Sequence, residues 1–208
     1  PPEELVPQFP MVRDATRAMG LPSIELDQYE ADDIIASYAV AAAKQGIAVT
    51  IVSSDKDLMQ LVGKSPDGIA IEMYDPMKDR VIGPAEVMEK FGVGPEKVVE
   101  VQALVGDSGD NVPGVPSIGI KTAAELINTY GDVETLLKRA HEIKQPKRRE
   151  SLLANAEKAR ISRQLVLLDD RVKLDVPLDE LAVHEPDARK LIAFLKAWDE
   201  IAKEESAK

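Results

Sequence analysis

The spacing of apolar residues changes partway along the chain. Up to about residue 83, short β-rich apolar runs alternate with helical segments. Residues 3–19 predict a helix interrupted near Pro7 and Pro10 and stopped by Gly20. LPSIEL (21–26) predicts a short strand, and the Ala-rich stretch from Ala31 to Lys44 a helix ended by Gly46. IAVTIVSS (47–54) has the continuous apolar character of a buried parallel strand. A short helix follows from Asp57 to Val62, then a strand at 69–75 and a hairpin partner at 80–82. This alternation predicts an α/β layer with an open, mostly parallel sheet. After Gly83-Pro84 helical spacing takes over, with helices expected at 84–91, 95–105, 118–130, 132–140, 146–168 and 187–198 and a last strand at 172–176. The expected domains are 1–83 (α/β), 84–175 (all-α) and 176–208 (final helix and polar linker).

Composition narrows the chemistry. Hydrophobic residues make up 44 % of the 208 and aromatics 4 %, so the core must be aliphatic. There is no cysteine, which removes disulfides, thiolate zinc sites and cysteine nucleophiles and suits a reducing cytoplasm. No apolar run approaches the ~20 residues of a membrane span, and the start lacks the pattern of a signal peptide. The net charge of −11 argues against nucleic acid as a partner. Residues 138–163 run the other way, with nine basic side chains against three acidic ones. Such a run is either a solvated helix surface or a track for phosphates. The two histidines, His141 and His184, are expected at the surface, and Trp198 is expected to pack the final helix onto the body.

Seven carboxylates stand at element ends. Glu30, Asp32 and Asp33 open a predicted helix, Asp55 and Asp57 follow the best strand, and Asp107 and Asp110 lie in GDSGDNVPG. In open α/β sheets ligands bind beyond the carboxyl ends of strands, so the first two groups can converge on one pocket. Two unit charges ~4 Å apart cost about 4 kcal/mol at an effective dielectric near 20. Converged carboxylates therefore call for a cation. Oxygen-only ligands select a hard ion such as Mg²⁺ or Mn²⁺, and two ions can drive phosphodiester hydrolysis. Each group also has a plainer reading: helix capping for EADD, a common phosphotransferase pair for DKD, and turn residues for Asp107 and Asp110.

GDSGDNVPGVPSIGIKTAAELI (106–127) places Gly114 and Gly119 ahead of a helix. A helix N-terminus behind a glycine turn is an anion site, and Lys121 and Thr122 can add contacts to the same phosphate. Such contacts touch backbone, so binding would be sequence-independent and salt-sensitive. Alternatively the loop merely connects two helices. It is not a Walker A loop.

YEADDIIASYA, SSDKDLMQLV and VGDSGDNVPGVPSIGIKTAAELI together resemble the 5′-nuclease domains of bacterial DNA polymerase I, a family that includes flap endonucleases and phage 5′-exonucleases. The resemblance runs from residue 1 to about 196. It implies a PIN-like α/β domain followed by an all-α domain with a helix–three-turn–helix. It implies metal ligation by Glu30, Asp32 and Asp33 at the catalytic ion and by Asp55, Asp57, Asp107 and Asp110 at the other, with Asp32, Asp33 and Asp57 in catalysis. It implies two Mg²⁺ or Mn²⁺ ions, and a K⁺ ion at the 112–120 loop. DNA contacts are implied for Gly114, Ser117, Gly119, Ile120, Lys121 and Thr122, with Lys147 and Arg148 extending the track. The implied partners are DNA (5′ flaps, nicked or duplex ends, RNA primer–DNA hybrids) and a C-terminal polymerase module, in the bacterial cytoplasm and nucleoid, with no membrane. The family pattern begins with a central strand carrying a further metal-binding Asp, and it has basic arch residues, all upstream of a point matching Pro1. By this resemblance the sheet is incomplete here, and the 208-residue chain alone cleaves poorly. Two other readings stay open: a catalytically inactive, sequence-independent duplex DNA-binding fragment, and a PIN-like ribonuclease.

Overall fold

A computed structural model describes residues 2–3, 5–64 and 69–206. Two compact units emerge, Tyr29–Val172 and a second made of Pro1–Gln28 with Lys173–Lys208.

The larger unit begins with helix α2 (Ala31–Lys44), preceded in the chain by α1 (Gln8–Ala18) of the smaller unit. Its strands are β1 (Val49–Val52), β2 (Gly63–Lys64), β3 (Ala70–Asp75) and β4 (Arg80–Ile82). β3 is the hub: it runs parallel to β1, with Ile51 opposite Met73, and antiparallel to β2 and β4. The α/β order expected from the sequence holds, and so does the 80–82 hairpin. The described sheet has one parallel and two antiparallel pairings, because β2 and β4 reach β3 through short connections that permit only antiparallel pairing.

Helices follow as α3 (Pro84–Phe91), α4 (Val98–Val105), α5 (Ile120–Tyr130), α6 (Val133–Lys138), α7 (Pro146–Ala154) and α8 (Ala156–Val166). Pro84 and Pro146 at first helical positions start α3 and α7. Gly92 at φ 71° ends α3. The helix expected over 146–168 breaks at Asn155, whose side-chain amide donates to the Ser151 carbonyl at 2.9 Å and whose backbone leaves the helical region. One aliphatic core runs from Ala39 and Met73 in the α/β layer through Phe91, Leu104 and Ile127 to Leu152 and Ala159. The boundary expected near residue 83 therefore does not divide this core.

Glu100 and Gln102 are buried on the otherwise apolar helix α4. Glu100 accepts from the Val133 amide at 2.9 Å and from Arg163 Nε at 2.7 Å, so one buried carboxylate ties α4 to α6 and α8.

Two expected strands are absent from the described residues: 21–26 and 172–176 are both irregular. Neither has a neighbouring strand to pair with, and a strand without a partner leaves its backbone groups unmet. Ser37 Oγ donates to the Asp169 carbonyl and accepts from the Val172 amide, both at 3.0 Å, so 169–172 is held by helix α2 instead of by a sheet.

In the smaller unit α1 packs with α9 (Ala188–Ser206), and Arg13 pairs with Glu25 at 2.6 Å. His184 is exposed, as is His141 in the larger unit. Trp198 does not pack inward as expected: it stays 45 % exposed, 6.1 Å from the Phe194 ring on its own helix. Among the described residues no helix is long and apolar enough to cross a membrane.

Candidate active site

The first turn of α2 carries Asp32 and Asp33. Glu30 precedes the helix in extended backbone, and its side chain makes no capping hydrogen bond. Capping therefore does not account for Glu30. Asp33 accepts from the Asp169 amide at 2.8 Å, a contact that orders the segment after α8. β1 ends at Val52, and the chain turns at once into the 3₁₀ turn Asp57–Leu61. Asp55 Oδ1 accepts from the Asp57 amide at 2.9 Å, and the Asp55 amide donates to Ser53 Oγ at 3.0 Å, which fixes the two carboxylates at the strand end.

Asp107 and Asp110 belong to a loop closed by a backbone bridge between Asp107 and Val112, with N–O distances of 2.9 and 2.7 Å. Asp107 Oδ1 accepts from the Gly109 amide at 2.7 Å, and Asn111 closes the turn at φ 57°. The loop is carried by close packing of Gly106 (φ 74°) against Gly114 (φ 58°).

The structure brings all three stretches within electrostatic range. Burial, then the carboxylates of Asp55, Asp57, Glu30 and Asp33, push Asp32 up to about 6. Burial also raises Asp57, opposed by a hydrogen bond from Gln102 and reinforced by Asp55 and Asp110. Lys56 reaches from between Asp55 and Asp57 to bond Asp107 Oδ2; this bond raises the lysine and, with the Gly109 amide, lowers the carboxyl. A cavity of about 470 Å³ is lined by Ser53, Ser54, Asp55, Lys56, Lys90 and Asp110, so the second and third stretches share one space.

The donors suit a hard cation: they are carboxylate oxygens, and Asp32 and Asp57, raised by burial and then by neighbouring carboxylates, are acids whose charged form a divalent ion would favour. Spacing is another matter. Among the described residues no three such side chains stand close enough to hold one ion. Lys56 engages Asp107, Gln102 donates to Asp57 Oδ1, and Asp33 holds Asp169. Gln102 Oε1 is buried with no hydrogen-bond partner. Lys56 and Gln102 are the site residues that sequence reasoning missed; their signals were a lysine between two aspartates and a glutamine on an apolar helix.

The raised Asp32 gives a testable sign. In the metal-free fold its carboxyl holds a proton more tightly than the ordinary value of 3.8. Ionising it costs folded-state stability, so stability contributed here falls as pH rises from about 4 to about 6 and then levels. Thermal unfolding in EDTA should show Asp32→Asn gaining on the wild type across that window. Parallel pH profiles for the two proteins would remove the assignment.

On the helical side, the Gly119 side of α5 has no acidic residue in its first turn and no side-chain cap, which leaves amide donors at Ile120, Lys121 and Thr122. Ser117 (φ 68°), Gly119, Ile120 and Lys121 are exposed, and Thr122 is half-buried. Gly114 departs from expectation: it is buried and donates its amide to Ser162 Oγ at 2.9 Å, so it shapes the loop and presents nothing outward. In 138–163 eight of the nine basic residues divide by type, and the ninth, Arg149, donates to the Ile143 carbonyl at 3.2 Å. Arg139, Arg148, Arg160 and Arg163 pair with Glu142, Glu125, Glu134 and Glu100, whereas Lys138, Lys144, Lys147 and Lys158 stay exposed. The planar guanidinium suits fixed ion pairs and the ammonium suits solvent.

Sequence comparison places this fold and its acidic stretches in a nuclease class. Residues 1–92 match the family described as 5′–3′ exonuclease, N-terminal resolvase-like domain, and residues 93–189 match 5′–3′ exonuclease, C-terminal SAM fold. The chain belongs to the 5′–3′ exonuclease family. It is 58 % identical to the DNA polymerase I of Rhizobium leguminosarum over 199 residues, covering 96 % of this chain and 19 % of that protein. It is 37 % identical to the 5′–3′ exonuclease of Aquifex aeolicus over 190 residues, 91 % of this chain and 63 % of that one. The chain thus spans about a fifth of that polymerase and under two thirds of that exonuclease. A solved bacteriophage T5 flap endonuclease, in a pseudo-enzyme–product complex with DNA and metal ions, shares the fold with a TM-score of 0.63 at 25 % identity, over 88 % of this chain and 63 % of that chain.

Proposed function

We propose that this chain is a divalent-metal-dependent 5′-nuclease that hydrolyses phosphodiesters at DNA 5′ ends and flaps during primer removal and repair. The observation that supports the reading is the electrostatic coupling of Asp32 to Asp55 and Asp57 and of Asp57 to Asp110, with Asp55 and Asp110 lining one cavity. Glu30, Asp32, Asp33, Asp55, Asp57, Asp107 and Asp110 are the residues that would hold two Mg²⁺ or Mn²⁺ ions. Bound there, such ions supply Lewis acidity and charge neutralisation to phosphodiester hydrolysis. The protein's own part is to orient the backbone of the substrate. The uncapped amides of α5, with Ser117, Lys121 and Thr122, receive duplex phosphates; Lys147 and Arg148 extend that track, and a K⁺ ion at the 112–120 loop is part of the proposal. That the T5 flap endonuclease was solved with DNA and metal ions supports both partners.

The test is cleavage of a 5′-flap DNA by the full-length protein in Mg²⁺, with EDTA and single-stranded RNA as controls. Mg²⁺-dependent cleavage of the flap and little of the RNA is expected; preference for the RNA would shift the assignment to a PIN-like ribonuclease. A second reading, a silent duplex-binding fragment, is favoured by Lys56 and Gln102 occupying Asp107 and Asp57. Duplex binding in EDTA with no cleavage at any Mg²⁺ or Mn²⁺ concentration would establish it.

Lys121→Ala should weaken binding equally across duplex sequences and reduce the salt slope by about one unit. Fluorescence anisotropy titrations between 50 and 200 mM salt measure this. A sequence-dependent loss, or an unchanged slope, would take Lys121 off the phosphate track.

A further inference from the structure

Lys90 is in the last turn of α3, on an element outside the three acidic stretches, yet it lines the cavity that holds Asp55 and Asp110. It also lines a neighbouring cavity of about 360 Å³ with Lys78, Arg80, Glu86 and Glu89. Its own helix offers two carboxylates, and both are engaged elsewhere. Glu86 accepts from the Gly83 amide at 2.8 Å, closing the start of α3. Glu89 pairs with Arg80 at 3.5 Å. Lys90 is left with no ion pair among the described residues, and its ammonium lies 5.7 Å from the Phe91 ring centroid. Burial, with repulsion from Lys78 and Lys56 and against the pull of Asp55 and Asp75, makes that ammonium easier to deprotonate than usual.

The cavity is balanced in charge and rich in donors. Lys56 and Lys90 face the same space as Asp55 and Asp110, with the hydroxyls of Ser53 and Ser54. Ser53 Oγ accepts from the Asp55 amide, so its own hydrogen remains to be donated. We propose that Lys90, with Ser53, Ser54 and Lys56, forms a subsite for one phosphate of the nucleic-acid backbone beside the acidic cluster. The proposal rests on the nuclease reading above and adds to it a cation on α3. Asp55 and Asp110 would repel a phosphate entering alone. A divalent ion on those carboxylates removes the repulsion, so the contribution of Lys90 depends on that ion.

The experiment is binding of a 5′-flap DNA to the full-length protein with Ca²⁺ in place of Mg²⁺ and again in EDTA, read by anisotropy across 50–200 mM salt. Lys90→Met should lower affinity about five- to tenfold at 0.1 M salt in Ca²⁺ and reduce the salt slope by about 0.9, the signature of one lost phosphate contact. The loss should shrink in EDTA. Lys90→Arg should restore most of the affinity, and Lys44→Met, at the opposite end of α2 from Asp32, should change nothing. Melting temperature checks that each variant folds. If Lys90→Met binds like wild type while Lys121→Ala is impaired, the subsite is overturned and the nuclease reading stands. If neither variant is impaired, the DNA-binding reading beneath it falls as well. Equal losses for Lys90→Met and Lys90→Arg would also overturn the subsite, since packing and not charge would then be at stake.

Discussion

Asp57→Ala in the full-length protein is expected to reduce Mg²⁺-dependent cleavage of a 5′ flap about 10²–10³-fold, the range for removing one preorganised charge-stabilising group. Asp57 opens the 3₁₀ turn directly after β1, half-buried, with Asp32, Asp55 and Asp110 as like-charged neighbours. Its one described side-chain partner is the Gln102 amide. Removing the carboxylate lessens repulsion but strands that amide, at a cost of about 1–3 kcal/mol. The two terms oppose each other, so the fold should survive. Asp57→Asn separates them, because its amide oxygen keeps a partner for Gln102 while the charge is gone. Both variants should lose cleavage alike, and DNA affinity should hold or rise as a negative charge leaves the site. Single-turnover kinetics with a matched binding titration read these quantities. A wild-type rate in Asp57→Asn would take Asp57 out of the catalytic group.

What could be read from sequence was local. The helix over Ala31–Lys44, the strand after Gly46 and the 80–82 hairpin follow from residue preferences and short connections. The acidic groups were visible because they stand at element ends. Partner-dependent features were not visible. LPSIEL has the pattern of a strand, but a strand exists only where another strand meets it. The net positive charge of 138–163 could be counted, whereas its division into paired arginines and solvated lysines depends on acids at Glu100, Glu125 and Glu134 in other helices. Gln102 reaches Asp57 across 45 residues and Lys56 reaches Asp107 across 51, contacts that no local pattern encodes. Lys90 lines a cavity with Asp55 and Asp110 although α3 is remote from both in sequence. The carboxylates were legible; the groups that neutralise them were not.

Gly114→Ala should unfold the acidic loop from beneath. Gly114 sits at φ 58°, where a side chain is already strained. A methyl carbon placed there would lie 2.6 Å from the amide nitrogen of Gly106 and 2.6 Å from the carbonyl carbon and oxygen of Val105. These are backbone atoms at the end of α4, so no rotamer change relieves the clash. The loop has to open, and several contacts go with it. The Gly114 amide bonds Ser162 Oγ at 2.9 Å, and the Val115 amide bonds the Leu104 carbonyl at 2.8 Å. Val115 and Leu104 are both core residues, 2 % and 0 % exposed. Strained backbone, lost buried hydrogen bonds and disturbed packing together set a cost of about 3–4 kcal/mol. For a domain of this size that lowers the melting temperature by roughly 6–16 °C. Gly119→Ala is the matched control. Gly119 has φ −93° and open space where its methyl would go, so only the exchange of a favoured N-cap residue for alanine counts, about 1 kcal/mol or less. Differential scanning calorimetry compares them directly, and a Gly114→Ala melting temperature within 2 °C of wild type would show that the loop is not built on this glycine contact. Because Asp107 and Asp110 hang from the same loop, the Gly114→Ala variant should also lose cleavage, linking a packing defect to the chemistry through one backbone approach.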